Sequence, residues 1–351
     1  MLDLEALLGA EADNLLAHIS RDLPRELLHL PGPDFVDRVW GASDRSPRVL
    51  GALHTLFGHG RLGGTGYLSV LPVDHGVAFS AGSAFAASPD YFDPAAVMTL
   101  AVEAGCSAVV TTYGVLGAVA RRYAHRVPLV LKLNHHQTLS YPDRPDQTPF
   151  ARVRAAAEQG CVGVAATVYF GSAGARRQLR EVSAWFAEAH ALGMATVLFC
   201  YLHHAAFRQP GVDYELAVDL TAQANHLGAA VEADLIKQKL PTAARGFPAL
   251  SVAGQPYGPL DAQAGAGAHS VDLVRDQVAH CFMGRCGLLS SGGGAGADDL
   301  AQAVRTAVVN KRGGGVGLLV GRKAFQRPLA EGVRLVHSVQ EVYLDPRVTV
   351  A

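Results

Sequence analysis

The order of segments along the chain predicts an α/β fold, namely a (β/α)8 TIM barrel with an N-terminal helical extension. From residue 67 onward, eight short apolar segments alternate with amphipathic ones, as strands alternate with helices in a barrel. Most apolar segments end in polar residues, as expected where the loops after barrel strands carry functional groups. A doubly wound sheet would need a phosphate-binding glycine turn after its first strand, and Asp74-His75-Gly76 is not such a turn. The barrel is therefore favoured.

Each predicted strand is a short apolar run bounded by turn residues. The eight strands are predicted at 67–74, 108–112, 128–134, 162–170, 196–202, 235–239, 287–291 and 316–320. Helices are predicted at 94–103, from the second strand through 122, and at 151–159, 176–190, 214–227, 273–281, 298–309 and 333–342. The polar residues at the strand ends are expected to meet at one mouth: Asp74, Thr112-Tyr113, Lys132-Asn134, Tyr169, Tyr201, Lys237, Ser290-Ser291 and Arg322.

Residues 1–60 are predicted to form the extension, and residues 61–351 the catalytic barrel. Five leucines in the extension recur at the spacing of a short amphipathic helix: Leu4, Leu7, Leu8, Leu15 and Leu16. Within the barrel, residues 241–268 are rich in glycine, proline and alanine. This long loop is interpreted as a lid over the mouth or as a subunit contact.

The composition indicates a compact globular protein. Of 351 residues, 49% are hydrophobic and 17% are charged, with a formal net charge of -1. Nothing points to a nucleic-acid partner, because no basic field or polybasic run is present. No apolar run approaches the ~20 residues of a membrane span, so no membrane partner is expected. Five cysteines without a Cys-x-x-Cys spacing suit a reduced, cytoplasmic location.

The sixth strand could supply a Schiff-base lysine. Residues 235–239 read Leu-Ile-Lys-Gln-Lys, and strand periodicity puts Leu235, Lys237 and Lys239 on one face. Burial lowers the pKa of a lysine, and a neutral amine attacks carbonyl carbon. Both lysines could instead extend from the strand end into solvent. Periodicity does not choose between Lys237 and Lys239.

The loops after the seventh and eighth strands are typical of a phosphate site. Residues 290–296 read Ser-Ser-Gly-Gly-Gly-Ala-Gly, and Gly321-Arg322 follows the eighth strand. Glycines let backbone N–H groups close on phosphate oxygens, and barrels commonly bind phosphate with these two loops. A flexible turn without a ligand is the alternative. A dinucleotide fingerprint fails, because no acidic residue follows about 20 residues later.

Three other polar residues at strand ends could act beside the lysine. Tyr201 could relay a proton, or it could be a rim aromatic whose hydroxyl is satisfied. Asp74 could orient or shuttle protons at an imine, or it could cap the turn after the first strand. Lys132, on the inner face of the third strand, could screen the imine lysine, bind a substrate oxygen or pair with an acid such as Asp74.

The histidines do not predict a metal site. His135-His136 and His203-His204 are adjacent pairs, and neighbours on a strand point to opposite faces. No His-Glu-x-x-His or Cys/His ligand spacing is present, and His75 and His125 stand alone. We therefore expect loop or surface histidines, with no metal and no cofactor.

Eight short motifs follow in order, each at a predicted strand end or in the next helix. They are Leu71-Pro72-Val73-Asp74-His75-Gly76, Thr112-Tyr113-Gly114-Val115-Leu116, Arg121-Arg122-Tyr123-Ala124-His125-Arg126, Lys132-Leu133-Asn134-His135, Tyr169-Phe170-Gly171-Ser172, Ile236-Lys237-Gln238-Lys239, Ser291-Gly292-Gly293 and Gly321-Arg322-Lys323-Ala324-Phe325. Over essentially its full length, the chain resembles the archaeal-type class I fructose-bisphosphate aldolases, which also occur in bacteria.

The resemblance implies a metal-independent lyase that uses a Schiff base. By the family pattern, Lys237 would form the Schiff base, Tyr201 would be the general acid/base and Asp74 would assist imine formation. A substrate phosphate would be held by Ser291, Gly292, Gly293, Gly321 and Arg322. The implied reaction is reversible cleavage of fructose 1,6-bisphosphate to dihydroxyacetone phosphate and glyceraldehyde 3-phosphate, as in glycolysis and gluconeogenesis.

Two departures from the family pattern concern recognition of the distal half of the sugar. The family's first strand usually continues Asp-His/Gln-Gly-x-Glu-His, whereas Ala78 and Phe79 occupy the last two places here. After Tyr201 the family commonly has Leu or Pro and then Arg, whereas His203-His204 follow here. Two other hypotheses stay open: a related aldolase or transferase for another phosphorylated ketose, and an inactive barrel that serves as an assembly module. The expected partners are a phosphorylated sugar and further copies of the chain in a homo-oligomer.

Overall fold

The structure, a computed structural model, describes residues 2–137, 139, 145–247, 251–252, 255–256 and 267–351. Eight parallel strands close into a barrel in which each strand pairs with its neighbours in the chain, and the last pairs with the first. The strands are β1 Leu68–Val73, β2 Ala108–Thr111, β3 Leu129–Lys132, β4 Gly163–Phe170, β5 Ala195–Leu202, β6 Leu235–Gln238, β7 Gly287–Ser291 and β8 Gly317–Leu319. The predicted (β/α)8 barrel is confirmed.

The helices that alternate with the strands form the outer layer. In chain order, the helices are α1 Leu4–Leu8, α2 Ala12–Ala17, α3 Phe35–Val39, α4 Pro47–Gly58, α5 Ala81–Phe85, α6 Pro94–Glu103, α7 Tyr113–Tyr123, α8 Val153–Glu158, α9 Ala175–Ala191, α10 Val218–Ala230, α11 Ser270–Ala279, α12 Asp299–Gly313, α13 Arg322–Phe325 and α14 Leu329–Leu344. Local sequence signals determine where several helices begin. Asp93 caps α6 ahead of Pro94, and Thr112 caps α7. No helix in the described part of the chain is long and apolar enough to cross a membrane.

Three predicted segments differ from the observed ones. The leucine-rich start forms two short helices, α1 and α2, because Gly9 adopts a φ of 56° between them. The third strand ends at Lys132, and Asn134–His135 pairs instead with Thr148–Pro149 outside the barrel. The helix predicted at 214–227 starts with a separate 3-10 turn, and α10 begins only at Val218.

The helices α3 and α4 pack against the amino-terminal ends of the strands. Their buried residues, among them Phe35, Trp40 and Leu53, form one hydrophobic cluster with barrel residues such as Leu68 and Leu235. This part of the extension therefore shares its core with the barrel interior. The boundary at residue 60 stays a prediction. Of the predicted loop 241–268, residues 248–250, 253–254 and 257–266 lie outside the described residues, so its role also stays a prediction.

Strand alternation places charged groups above an apolar floor. Along β6, Leu235 belongs to the interior cluster, whereas Ile236 packs with the outer helices. Lys237 then faces the interior again, as the two-residue period requires. The five cysteines are all buried and free, and cysteines in such positions pack as small apolar residues.

A buried carboxylate anchors the start of β6. Asp234 is inaccessible to solvent, and its oxygens accept hydrogen bonds from Arg45 Nε at 2.7 Å and from the Thr196 N–H at 2.9 Å. Burial would raise the pKa of Asp234, but the hydrogen bond from His190 and the Arg45 charge hold it below its usual value. The strand that carries Lys237 is thereby tied both to β5 and to the segment between α3 and α4.

We expect Asp234→Ala to lower the free energy of unfolding by about 3–5 kcal/mol, because the Arg45 side chain, 9% exposed, loses its buried partner and keeps the exposed acids Asp44 and Glu232. Denaturant unfolding measures this loss. The exposed pair of Asp37 and His54 gives the control, since Asp37→Ala should cost at most about 1 kcal/mol. In the wild type, the Asp234 contribution is present above about pH 4 and is lost as pH falls through the lower folded pKa. If the difference in free energy of unfolding between the wild type and Asp234→Ala did not shrink in acid, this pH dependence would be contradicted.

Candidate active site

A cavity of about 860 Å³ opens at the carboxyl ends of the strands. It is lined by every residue that the sequence predicted as catalytic or substrate-binding: Asp74, Lys132, Tyr201, Lys237, Ser291, Gly292, Gly293, Gly321 and Arg322. These residues come from six of the eight strand ends or from the loops that follow them, which are far apart in the chain. The fold therefore brings the predicted set together at one mouth, and the role of each residue stays a prediction.

Lys237 lies inside the barrel with 8% of its surface exposed. Its Nζ is 4.3 Å from the centre of the Phe199 ring, because Phe199 is its register partner on β5. The same nitrogen is 5.5 Å from the centre of the Tyr201 ring. Among the described residues, Nζ of Lys237 has neither a hydrogen bond nor an ion pair.

The pairing of the other lysines sets Lys237 apart. The chain has only five lysines, and four of them line the cavity. Three of those four have an acidic partner: Lys132 with Asp74 at 2.9 Å, Lys239 with Glu215 at 3.7 Å and Lys323 with Asp299 at 2.8 Å. Within the described residues, Lys237 is thus the cavity lysine whose amine is left for a substrate carbonyl. Lys239, which periodicity could not separate from it, lies beyond the end of β6 with its side chain 40% exposed.

The fifth lysine shows why a lowered pKa does not by itself identify a nucleophile. Burial lowers the pKa of Lys311 to about 8. Its Nζ, however, donates hydrogen bonds to the backbone carbonyls of Val342, Tyr343 and Asp345 at 2.9–3.1 Å. Lys311 does not line the cavity. Its role is to hold the end of α14 to α12.

Asp74 and Lys132 form an ion pair at the mouth. Besides Asp74, Nζ of Lys132 meets the backbone oxygen of Asn134 at 2.8 Å. Burial would raise the pKa of Asp74, but the Lys132 ammonium and hydrogen bonding with His135 hold it well below its usual range. Asp74 is therefore an ionised carboxylate at neutral pH, suited to stabilise a nearby cation. The ion pair with Asp74, which was one of the alternatives predicted for Lys132, is therefore present.

One histidine contradicts the expectation of loop or surface positions, and another lies in a loop, as expected, but is nearly buried. His135 is inaccessible to solvent, and its Nδ1 lies 3.6 Å from Oδ2 of Asp74. His75 has a side chain only 9% exposed, and its ring packs on Phe79 and Phe325. Burial lowers the pKa of His75 to about 4, with Arg322 among the charges that add to the shift. Both histidines are buried because the chain turns inward over the barrel directly after β1 and β3.

Tyr201 lies half-buried between two lysines. Its ring centre is 5.5 Å from Nζ of Lys237 and 5.7 Å from Nζ of Lys239. Tyr169, its register partner on β4, is also half-buried, and burial raises the pKa of the Tyr169 hydroxyl. Tyr201 is therefore the tyrosine whose position suits proton exchange with a group bound to Lys237.

The loops after β7 and β8 approach each other closely because glycines stand at the contacts. The Gly292 N–H donates to the Leu319 oxygen at 2.9 Å, and a Cβ at Gly292 would lie 2.9 Å from that oxygen. A Cβ at Gly321 would lie 2.8 Å from the backbone oxygen of Pro72. A side chain at Gly292 would push the loop after β7 away from the end of β8, and a side chain at Gly321 would push the loop after β8 away from β1. The backbone of both loops is thereby left open toward the cavity.

Arg322 supplies positive charge beside these glycines. Its guanidinium lies against Gly294, where an added Cβ would come within 3.3 Å of Nη2. The guanidinium carbon is 5.2 Å from the centre of the Phe79 ring. No acidic residue in the described part of the chain pairs with Arg322. An unpaired guanidinium beside an open glycine loop is typical of an anion site.

A second basic group lies on the other side of Lys237. Glu215, 3% exposed, is within ion-pair distance of His203 Nδ1 at 3.2 Å, Arg208 Nη2 at 3.1 Å and Lys239 Nζ at 3.7 Å. All four residues line the cavity. With one acid against two permanent cations, the cluster carries net positive charge. We call it the Glu215 cluster.

Some polar strand ends do not reach the cavity. Thr112 caps α7 by accepting from the Val115 N–H, and Tyr113 faces solvent with 40% of its surface exposed. Asn134 bonds to the backbone of Thr167 through both side-chain atoms. Ser290 faces outward and accepts a hydrogen bond from Asn310. The expectation that they line the mouth was therefore wrong, and Thr112, Asn134 and Ser290 have structural tasks instead.

Among the described residues, one group could offer three metal ligands within 4.8 Å of one another: His18, His269 and Asp272. The group lies outside the cavity lining, where His18 joins the end of α2 to α11. His18 Nε2 is 2.9 Å from Asp272, while the ring nitrogens of His269 face the Asn14 oxygen and the Val271 N–H. The two imidazole rings stack at 3.6 Å, so their in-plane lone pairs do not converge. The arrangement is that of a hydrogen-bonded cluster.

Sequence reasoning did not assign several lining residues to the site: His75, Phe79, Phe199, Arg208, Glu215 and Lys323. Phe199 could have been found, because it shares the inward face of β5 with Tyr201. The others lie in a loop, in the two-residue strand Arg208–Gln209, in the 3-10 turn before α10 or in the short helix α13, and all of these are too short for periodicity to apply. Their positions follow from long-range packing, so no local pattern marks them.

Comparison with known proteins identifies the family of the chain. The model of the DeoC/LacD family aldolases matches residues 68–327. The probable fructose-bisphosphate aldolase class 1 of Chlamydia pneumoniae is 50% identical over 354 residues, covering 100% of both chains. The protein of the same name from Chlamydia trachomatis serovar D is 51% identical and covers 98% of each chain.

Solved structures give the same fold. A fructose-bisphosphate aldolase from Slackia heliotrinireducens superposes with a TM-score of 0.70 at 22% identity, covering 88% of this chain and 91% of that one. A Schiff-base-forming fructose-1,6-bisphosphate aldolase gives a TM-score of 0.63 at 24% identity, covering 83% and 98%. From the family match and the identity to relatives of equal length, the chain belongs to the DeoC/LacD family of aldolases, which agrees with the resemblance of its motifs to the class I fructose-bisphosphate aldolases.

Proposed function

We propose that the protein is a class I fructose-bisphosphate aldolase that reversibly cleaves fructose 1,6-bisphosphate to dihydroxyacetone phosphate and glyceraldehyde 3-phosphate. The observation that carries the proposal is the Lys237 amine, which pairs with no other described residue, between two cationic regions of one cavity. One region is the glycine loops with Arg322, which we call the phosphate cradle. The other is the Glu215 cluster. A substrate with a ketone between two phosphates matches this order of groups.

The reaction begins with attack of the Lys237 amine on the C2 ketone. A carbinolamine forms and loses water to give a protonated imine. Tyr201, beside Lys237, supplies and removes the protons of this step. Asp74 stays ionised and faces Lys132, so its negative charge favours the cationic imine.

Cleavage then uses the imine as the electron acceptor. Removal of the C4 hydroxyl proton breaks the C3–C4 bond, releases glyceraldehyde 3-phosphate and leaves an enamine on Lys237. Protonation of the enamine at C3 restores the imine, and water releases dihydroxyacetone phosphate. The protonated imine accepts the electrons of the breaking C3–C4 bond, which is the role of the metal ion in a metal-dependent aldolase. These reaction steps therefore need no metal.

The position of β6 supports a substrate with two phosphates. β7 and β8, whose loops form the phosphate cradle, lie on one side of β6, and β5, which leads to His203, lies on the other. A ketose bound at Lys237 would therefore place one phosphate at the cradle and the other near Arg208 and Lys239. The Glu215 cluster thus takes the place of the arginine that the family pattern has after the tyrosine.

Activity of the purified protein toward sugar phosphates tests the proposal. We expect fructose 1,6-bisphosphate to be cleaved with a kcat/KM about 10–100-fold above that of fructose 1-phosphate, which lacks the phosphate for the Glu215 cluster. EDTA should leave the rate unchanged. A preference for another ketose phosphate would replace the substrate in this proposal, and strong inhibition by EDTA would contradict the Schiff-base mechanism. Cytoplasmic location and homo-oligomeric assembly belong to the same proposal.

A further inference from the structure

One buried carboxylate connects the two loops of the phosphate cradle. Asp299 is the first residue of α12 and is 6% exposed. Its Oδ1 accepts a hydrogen bond from the Gly296 N–H at 2.7 Å, within the loop after β7. The same carboxylate pairs with Lys323 of α13 at 2.8 Å and with Arg327 in the segment after α13. Asp299 therefore touches both loops at once.

The contacts of Lys323 determine how α13 is oriented relative to α12. Nζ of Lys323 also donates to Oε1 of Gln302 at 2.9 Å, and the side chain is 2% exposed. A buried ammonium with two acceptors on α12 fixes how α13 lies against α12. Arg322 is the residue before Lys323 and the first residue of α13. The orientation of α13 thus sets where the Arg322 guanidinium meets the Gly294 backbone.

We propose that Asp299 is a positioning residue that holds Arg322 and the glycine loop in the relative positions needed to bind one phosphate group. It thereby gives the enzyme its preference for phosphorylated over unphosphorylated ketones. The inference rests on the proposed function for its substrate, but phosphate binding can be measured without any reaction. Asp299 itself does not line the cavity, so it acts through Lys323, Arg327 and Gly296.

Because Asp299 is negatively charged, the direction of the change in phosphate affinity separates a positioning role from a simple charge effect. Replacing Asp299 by asparagine removes a negative charge near an anion site, which by electrostatics alone would tighten phosphate binding. Loss of the carboxylate also removes the ion pairs with Lys323 and Arg327, and these hold the loops together. Positioning therefore predicts weaker binding, and a pure charge effect predicts tighter binding.

The experiment measures the Kd of inorganic phosphate by titration calorimetry, with Asp299→Asn beside the wild type. We expect the Kd to rise about tenfold, equivalent to about 1.4 kcal/mol. A second readout is borohydride trapping of dihydroxyacetone phosphate and of dihydroxyacetone. The half-saturating concentration of the phosphorylated ketone should rise by a similar factor, while that of dihydroxyacetone should change by less than about twofold.

Asp298→Asn is the matched control, since Asp298 is the preceding residue, exposed, and makes no side-chain cap contact. It removes the same charge without touching the connection, so phosphate affinity should stay equal or rise slightly. Arg327→Gln is a milder second variant that keeps Lys323 and should raise the Kd about two- to threefold. Thermal unfolding confirms that each variant is folded.

The outcomes separate the two proposals. Unchanged or tighter phosphate binding in Asp299→Asn, or equal losses for both ketones, would overturn the positioning role. A wild type that does not bind phosphate would overturn it as well. If phosphate binding weakens as expected but no lysine is trapped in any variant, the positioning role stands and the aldolase function fails.

Discussion

Lys237→Met is expected to reduce cleavage of fructose 1,6-bisphosphate by at least about 10⁴-fold, the scale of losing a covalent nucleophile. Methionine preserves the length and apolar contact of the side chain over the Phe199 ring, so the barrel should stay folded. The remaining cavity lysines are engaged by acids and cannot take over. Steady-state kinetics with fructose 1,6-bisphosphate measures the loss, and inorganic phosphate should bind the variant as it binds the wild type.

Lys239→Met separates the two lysines of the motif. Lys239 belongs to the Glu215 cluster, so its replacement should raise KM for the bisphosphate while a covalent intermediate still forms. If Lys239→Met removed the intermediate and Lys237→Met retained it, the assignment of the nucleophile would be reversed. If both variants kept normal activity, no Schiff-base mechanism at this strand would survive.

Asp74→Asn is expected to lower kcat by about 10²–10³-fold with a smaller change in KM. The substitution keeps the shape but removes the charge that balances Lys132, so a cationic imine would form beside an uncompensated ammonium. The rate of imine formation, followed by borohydride trapping with dihydroxyacetone phosphate, should fall by a comparable factor. This readout separates a chemical role from a binding role.

Two comparisons control the Asp74 prediction. Asp90→Asn removes an exposed acid from the same connection between β1 and α6 and should leave kcat within about twofold. The double variant Asp74→Asn/Lys132→Met should lose little more than Asp74→Asn alone, because residues that act as a pair are non-additive. Additive losses would show that Asp74 and Lys132 act independently, and an Asp74→Asn enzyme with nearly normal kcat would show that the pair only stabilises the fold.

The barrel could be predicted because its signals are local and repeated. Each strand is an apolar run long enough to recognise. The two-residue alternation of strands correctly predicted that Lys132, Tyr201 and Lys237 face the interior. The glycine stretch after β7 was equally readable, since close approach of two loops leaves no room for side chains. These features depend on the period of a strand or on the size of one residue.

Contacts between distant loops could not be predicted in the same way. Nothing near Glu215 in the chain indicates that it lies between His203 and Lys239, because its partners come from two different strand ends. The burial of His75 likewise depends on Phe325, about 250 positions away. Lys239 shares the parity of Lys237, yet β6 stops at Gln238 and the chain turns before Lys239 can enter the barrel.

The most direct test of the Lys237 assignment is mass mapping of the peptide that borohydride reduction labels in the presence of dihydroxyacetone phosphate. The chain makes this test clean, since it contains only five lysines. We predict one labelled position, Lys237, in stoichiometric yield and without label when substrate is omitted. Label at Lys239, at Lys311 or at no lysine would contradict the account.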